Sequence, residues 1–179
     1  MTPQVPRFQS NDVSRSLLQQ ADDRETAVNV NATLSPDDLA RACADAMWKE
    51  DDASKGLGMT IVEIGPGHAT LSMTVRPEMV NGQRIAHGGF IFLLADSTFA
   101  FACNSRNERA VAAQCDIAFI RPGKLGDVLV ATAREISRSG RSGIYDVRVT
   151  SGDEVIAEFR GHSRTIGGAW LPQANTTDK

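Results

Sequence analysis

The spacing of apolar positions changes character three times along the chain, and each change marks a boundary between elements. Leu39, Ala42, Cys43, Ala46 and Met47 recur at intervals of one helical turn, the signature of an amphipathic helix. Just before them, Ser35-Pro36-Asp37-Asp38 supplies a capping serine, a proline at the first helical position and an acid three residues on. A helix is therefore predicted to start there and to end within the charged run Lys49–Lys55. From Gly58 the period shortens to two: MTIVEI and HATLSMTV alternate apolar and polar residues on either side of GPG, as antiparallel strands joined by a tight turn do. Alternation then vanishes in RIAHGGFIFLLADSTFAFACNS, Arg84–Ser105, which reads as a helix apolar on almost every side. Such a helix is buried, here with Phe90, Ile91, Phe92, Leu93, Leu94, Phe99 and Phe101 against a sheet. Alternation returns in VAAQCDIAFI, DVLVATAREI, GIYDVRVT and EVIAEFRGHSRTI, separated by RPGKLG, SRSGRS and SGD.

Helix, two strands, one apolar helix and four strands make an α+β domain whose antiparallel sheet has a single helix at its core. Residues 1–34 are rich in Gln, Asn, Asp, Ser and Thr and poor in large apolar side chains, so they predict a flexible arm with at most a short helical turn at Ser16–Gln20. The domain is expected over 35–168 and a flexible tail over 169–179, with Trp170 and Leu171 standing out from it.

Composition narrows the function classes. A chain of 179 residues with 41% hydrophobic and 23% charged content has room for one domain with a proper core. A net charge of −3 leaves no overall electrostatic footprint for nucleic acid or an anionic membrane, so an anionic ligand needs a local cationic cluster. No stretch is apolar for long enough to cross a bilayer, and the N-terminus lacks the basic start and apolar run of a secretion signal. Cys43, Cys103 and Cys115 follow no metal or redox spacing, which points to reduced thiols in a cytoplasmic protein, without disulfides and without a metal site.

The chemistry concentrates in the apolar helix. It opens on His87-Gly88-Gly89, where first-turn N–H groups are unpaired at the positive end of the helix dipole, a place suited to an anion or a developing oxyanion. It also carries an acid, Asp96. Eight residues separate Gly88 from Asp96, about 12 Å at a rise of about 1.5 Å per residue, so one chain cannot bring both to one reacting carbon. If they cooperate, the acid comes from a second copy with its helix packed antiparallel, giving a homodimer with two shared sites. A plainer reading stands beside this one: Asp96 bonds a neighbour such as Thr98, Gly-Gly only eases packing, and His87 is a cap. His68 and His162 fall in strands and read as structural.

The runs NGQRIAHGGFIFLLADSTFAFACNS, DIAFIRPGKLGD, SRSGRSGIYDV and IAEFRGHSRTIGG, in this order over roughly Ala44 to Gly168, resemble the hotdog-fold acyl-CoA thioesterases, specifically the PaaI family of phenylacetic acid degradation. The resemblance implies a curved antiparallel sheet wrapped around one long helix, paired into dimers and commonly into tetramers. It implies hydrolysis of phenylacetyl-CoA or hydroxyphenylacetyl-CoA with no cofactor, CoA being part of the substrate. Asp96 matches the family's catalytic carboxylate, which attacks the thioester or activates water. Gly88 matches the glycine whose N–H polarises the carbonyl, and Asn81 and His87 match the residues that orient thioester or water. Gly89 and Phe119 join the substrate contacts. The segment with Arg138, Ser139, Gly140 and Arg141 matches the one that holds the nucleotide, with Arg121, Lys124 and Arg164 able to contribute. One departure is Glu50-Asp51-Asp52, where close relatives often carry Glu-Asn. Two rival readings on the same fold are an enoyl-CoA hydratase or dehydratase and a non-catalytic acyl-CoA binding module.

Overall fold

The computed structural model describes residues 34–172. The arm before Leu34, with the helical turn expected at Ser16–Gln20, and the tail after Pro172 lie outside the described residues.

Helix α1 spans Pro36–Glu50, and the Ser35 hydroxyl caps it by accepting from the Asp38 N–H at 3.2 Å. Its buried face is Ala40, Cys43 and Ala44, turned from the stripe expected from Leu39, Ala42 and Cys43. Small side chains on that line let the helix lie close against the sheet edge. A short helix α2, Asp52–Gly56, follows and is capped by Asp51, whose carboxylate accepts from the Ser54 N–H at 2.9 Å. Strands β1 (Thr60–Gly65) and β2 (His68–Thr74) form the expected hairpin, with Gly67 at φ 70° in its turn. Helix α3 spans Gly88–Cys103, and β3 (Ala110–Phe119), β4 (Val128–Ser139), β5 (Ser142–Ser151) and β6 (Glu154–Thr165) complete a six-stranded sheet.

The strand order is β1-β2-β4-β5-β6-β3, every pair antiparallel. Helix α3 carries the chain from β2 across the sheet to β3 at the far edge. Register shifts at Ile61/Glu63, Ala112/Gln114, Glu135/Ser137 and Val149/Thr150 bend the strands, and extra residues of this kind increase local twist and let a sheet wrap a helix.

The core lies between α3 and the sheet. Ile91, Leu94, Ala95, Thr98, Phe99, Phe101 and Ala102 are buried, whereas Phe90, Phe92 and Leu93 are only half-buried. Burial on every side, expected from the sequence, is thus not achieved within one chain. The cause is that the sheet covers one side of a helix. Phe99 stacks against Tyr145 and Phe159 and lies over Gly161, where an added Cβ would come within 2.9 Å of its ring.

Trp170 and Leu171, just beyond Gly168, are docked on the domain. The Asn107 carboxamide oxygen accepts from the Trp170 and Leu171 N–H groups, both at 2.9 Å. The Trp170 indole donates to Asn104 at 2.8 Å, and Arg109 covers its ring at 4.6 Å. Trp170 and Leu171 therefore belong with the folded domain.

Candidate active site

A rigid loop sets the start of α3. The N–H of His87 donates to Met79 O, Asn81 N–H to Ile85 O, Arg84 N–H to Asn81 O and Ala86 N–H to Gly123 O, each at 2.9 Å. Asn81 closes the loop from inside, its Oδ1 accepting from Gln83 N–H at 2.9 Å and Ile85 N–H at 3.4 Å, while Arg84 takes φ 63° at the tip. The oxygen of Asn81 is therefore spent locally, and its Nδ2 has no acceptor among the described residues.

His87 is the N-cap of α3, and its ring Nδ1 accepts from the Gly89 N–H at 2.9 Å. Acceptance at Nδ1 places the proton of the neutral ring on Nε2, which is left as a donor. Gly89, expected among the substrate contacts, thus has its N–H engaged by His87. The Gly88 N–H carries no partner among the described residues. It is an open donor at the positive end of a helix of 16 residues. The ring of Phe119 lies on Gly88, where a Cβ would fall 2.9 Å from Cζ, so only glycine accepts this contact unchanged.

Asp96 lies two turns further along α3, half-buried. Thr98, the partner the plainer reading would give it, instead donates to Leu94 O at 2.7 Å. Its contact comes from β3: the Cys115 thiol reaches Asp96 Oδ1 at 3.8 Å. Burial pushes the Asp96 carboxyl above the ordinary carboxylate range, and the thiol hydrogen bond partly opposes that. Cys115 shares its face of β3 with Ile117 and Phe119, an alternation legible in the sequence, but its meeting with Asp96 joins two separate elements and has no signature there.

The cationic candidates fall at two places. Ser139, Ser142, Arg164 and Val111 stand opposite one another across β4, β5, β6 and β3. SRSGRS is accordingly mostly strand, with only Gly140 and Arg141 in the turn and Gly140 at φ 55°. This end of the sheet gathers Arg138, Arg141 and Arg164. Arg138 is paired with Glu108, Arg141 donates twice to Thr165 O at 2.9 and 2.7 Å, and Arg164 has no acceptor among the described residues. Arg121 lies apart from them, past the Phe119 end of β3, with one contact to Val155 O at 3.4 Å. Between Val111 and Phe119 run eight steps of strand, about 27 Å at about 3.4 Å per residue. Within one chain the hairpin arginines are therefore far from the start of α3.

Among the described residues, no three His, Cys, Asp or Glu side chains gather as a metal site, Cys43, Cys103 and Cys115 are free thiols, and no helix is long and apolar enough to cross a membrane.

The profile of the Thioesterase superfamily matches residues 83–158, which include the whole of α3 and β3. Acyl-coenzyme A thioesterase PaaI of Escherichia coli is 44% identical over 132 residues, covering 73% of this chain and 94% of its own. The solved structure of the E. coli PaaI protein, from the phenylacetic acid degradation operon, superposes with a TM-score of 0.74 at 42% identity, covering 75% of this chain and 99% of that one. A Streptococcus mutans protein solved with acetyl-CoA bound superposes with a TM-score of 0.60 at 28% identity, covering 62% of this chain and 90% of that one. Sequence match and structural superposition agree, and the chain belongs to the thioesterase superfamily of hotdog-fold proteins, in its PaaI branch of acyl-CoA thioesterases.

Proposed function

We propose that the protein hydrolyses acyl-CoA thioesters of the phenylacetyl and hydroxyphenylacetyl class to the free acid and CoA, at sites shared between two copies of the chain in the cytoplasm. The observation that carries the reading is the pair of unlike features on α3: an open Gly88 N–H beside the Nε2–H of His87 at its start, and a half-buried carboxylate about 12 Å along it. Neither half makes an esterase alone. A second α3 packed antiparallel brings each Asp96 to the other's helix start.

Two surfaces favour that pairing. Strand β3 is a sheet edge with Val111 and Phe119 about half exposed, at 46% and 53%, and an antiparallel copy of it would continue the sheet. The half-buried Phe90, Phe92 and Leu93 would be covered at the same time. The pairing also carries the hairpin arginines of one chain toward the helix start of the other, where the CoA phosphates of the substrate need charge-assisted donors. Arg164 and Arg141 are the first candidates, because Arg138 is already neutralised by Glu108. Pairs of such dimers would form the tetramer. The three free thiols suit a reducing compartment.

In the reaction the thioester carbonyl oxygen takes the Gly88 N–H, with Asn81 Nδ2 and His87 Nε2–H orienting thioester or water beside it. Asp96 of the second copy faces the carbonyl carbon. As a base it takes a proton from water, whose oxygen adds to the carbon; as a nucleophile it adds directly and forms an anhydride that water then opens. Either way the tetrahedral oxyanion rests on Gly88, the carbon–sulfur bond breaks, and CoA leaves as the thiol. Each preorganised donor of this kind is worth about 2.7–4 kcal/mol.

The test follows thiol release with a disulfide reagent. Asp96→Asn is expected to keep its fold and bind CoA while losing at least about a hundredfold in turnover. Near-normal turnover by that variant would end the assignment, and loss of an enoyl-CoA without thiol release would move the reading to a hydratase. The shared site is tested by refolding Asp96→Asn and Gly88→Val chains together. Random pairing should restore about a quarter of wild-type activity, since half the dimers are mixed and each has one intact site. A mixture as inactive as its parents would rule out sharing.

A further inference from the structure

We propose that Cys115 is a positioning residue for the reaction: its thiol holds one oxygen of the Asp96 carboxylate and leaves the other directed at the substrate. The inference rests on Asp96 being the acid of the site.

The geometry is specific. Cys115 Sγ lies 3.8 Å from Asp96 Oδ1, and among the described residues no other group donates to that carboxylate. The hydroxyls nearest to Asp96 along α3 are committed elsewhere, Thr98 to Leu94 O at 2.7 Å and Ser97 in a hydrogen bond of 3.0 Å with Ser54. Cys115 is itself held firmly. It pairs across the ladder with Gly161, the glycine under the Phe99 ring, and it is half-buried against the core.

A thiol can do this only while it keeps its proton. Burial, with the negative charges of Asp96 and Asp116 beside it, pushes the Cys115 thiol up to about 11, so it remains a neutral donor at neutral pH. The other titratable group that feels this carboxylate is Cys103, further along α3, likewise pushed up to about 12 by burial. Neither competes for charge. A weak donor suits an acid that must remain reactive: it orients the carboxylate and favours its ionised form, without quenching it as an arginine would.

The experiment compares Cys115→Ala, Cys115→Ser and Asp96→Asn in the full chain, by thiol release across pH. Cys115→Ala should lower kcat severalfold, up to about tenfold, with little change in KM, the loss expected for one net hydrogen bond. It should also move the acid limb of kcat/KM upward by about half to one pH unit. As a measurement independent of folding of the alanine variant, the infrared S–H stretching band lost in Cys115→Ser should move to higher frequency in Asp96→Asn. An unmoved acid limb in Cys115→Ala or an unmoved S–H band overturns the positioning role. If Asp96→Asn is inactive while any of these results holds, only this inference falls; if Asp96→Asn turns over normally, the reading beneath it falls too.

Discussion

His87 serves two purposes in this structure, and a single pair of substitutions separates them. Its Nδ1 accepts from the Gly89 N–H at 2.9 Å and so caps α3, while its Nε2–H is free to donate toward substrate or water. His87→Ala removes both. Loss of a cap costs about 1 kcal/mol, which for a domain of this size lowers Tm by about 2–4 °C. His87→Asn keeps the cap, because an asparagine oxygen accepts from the same N–H, but offers no donor where Nε2 stood. If that donor serves a carbonyl or water that gains charge in the transition state, its loss costs about 1.5–3 kcal/mol, or about ten- to 150-fold in kcat/KM. The expected pattern is then a melting temperature near wild type for His87→Asn, a few degrees lower for His87→Ala, and a similar catalytic loss in both. Differential scanning calorimetry and thiol-release kinetics on the same preparations measure the two effects. Full activity in His87→Asn would refute the reasoning and leave His87 as a cap alone.

Other predictions address different parts of the molecule. Because burial raises the Asp96 carboxyl and the reaction needs its ionised form, kcat/KM should fall on acidification through a limb lying above the ordinary carboxylate range; a limb near pH 4 would show that the active carboxylate is solvated. Gly161→Ala places a methyl 2.9 Å from the Phe99 ring in the packed core, and should lower stability by about 1–3 kcal/mol in a urea titration. Joint substitution of Arg141 and Arg164 by Ala should raise KM for acyl-CoA at least about tenfold with kcat little changed, and an unchanged KM would place the phosphates elsewhere. Asn104→Ala removes the acceptor of the Trp170 indole and of the Ala110 N–H and should cost about 1–3 kcal/mol, seen as a lower Tm together with loss of the docked Trp170 fluorescence signature.

Much of the fold was legible because it is written in local periodicity. The Ser35-Pro36 start of α1, both strands of the first hairpin and all four later strands lie where the alternation and turn residues put them. The limits lay in contacts between elements. Cys115 alternates in step with Ile117 and Phe119, so its face of β3 was legible, but its meeting with Asp96 was not, because it joins β3 to α3. SRSGRS reads as a turn by composition, yet cross-strand pairing extends β4 and β5 into it and leaves two residues between them. In the candidate site, Gly88, His87 and Asp96 could be named from the helix pattern, and Asn81 from the family resemblance alone. Which of their atoms are free could not, because that depends on partners brought in by folding: His87 Nδ1 is taken by Gly89, and Asn81 Oδ1 by Gln83 and Ile85.

The sequence by itself determined the elements, their order, the helix that forms the core and the separation of Gly88 from Asp96, since all of these follow from periods of two and of about 3.6 residues and a fixed rise along one helix. Only the tertiary structure decided which donors stay open, which thiol meets the acid, and that the hairpin arginines lie at the far end of the sheet from the helix start. Those relations join residues distant in the chain, and they are set by strand order, bulges and the side of α3 that the sheet leaves uncovered, none of which has a local signature.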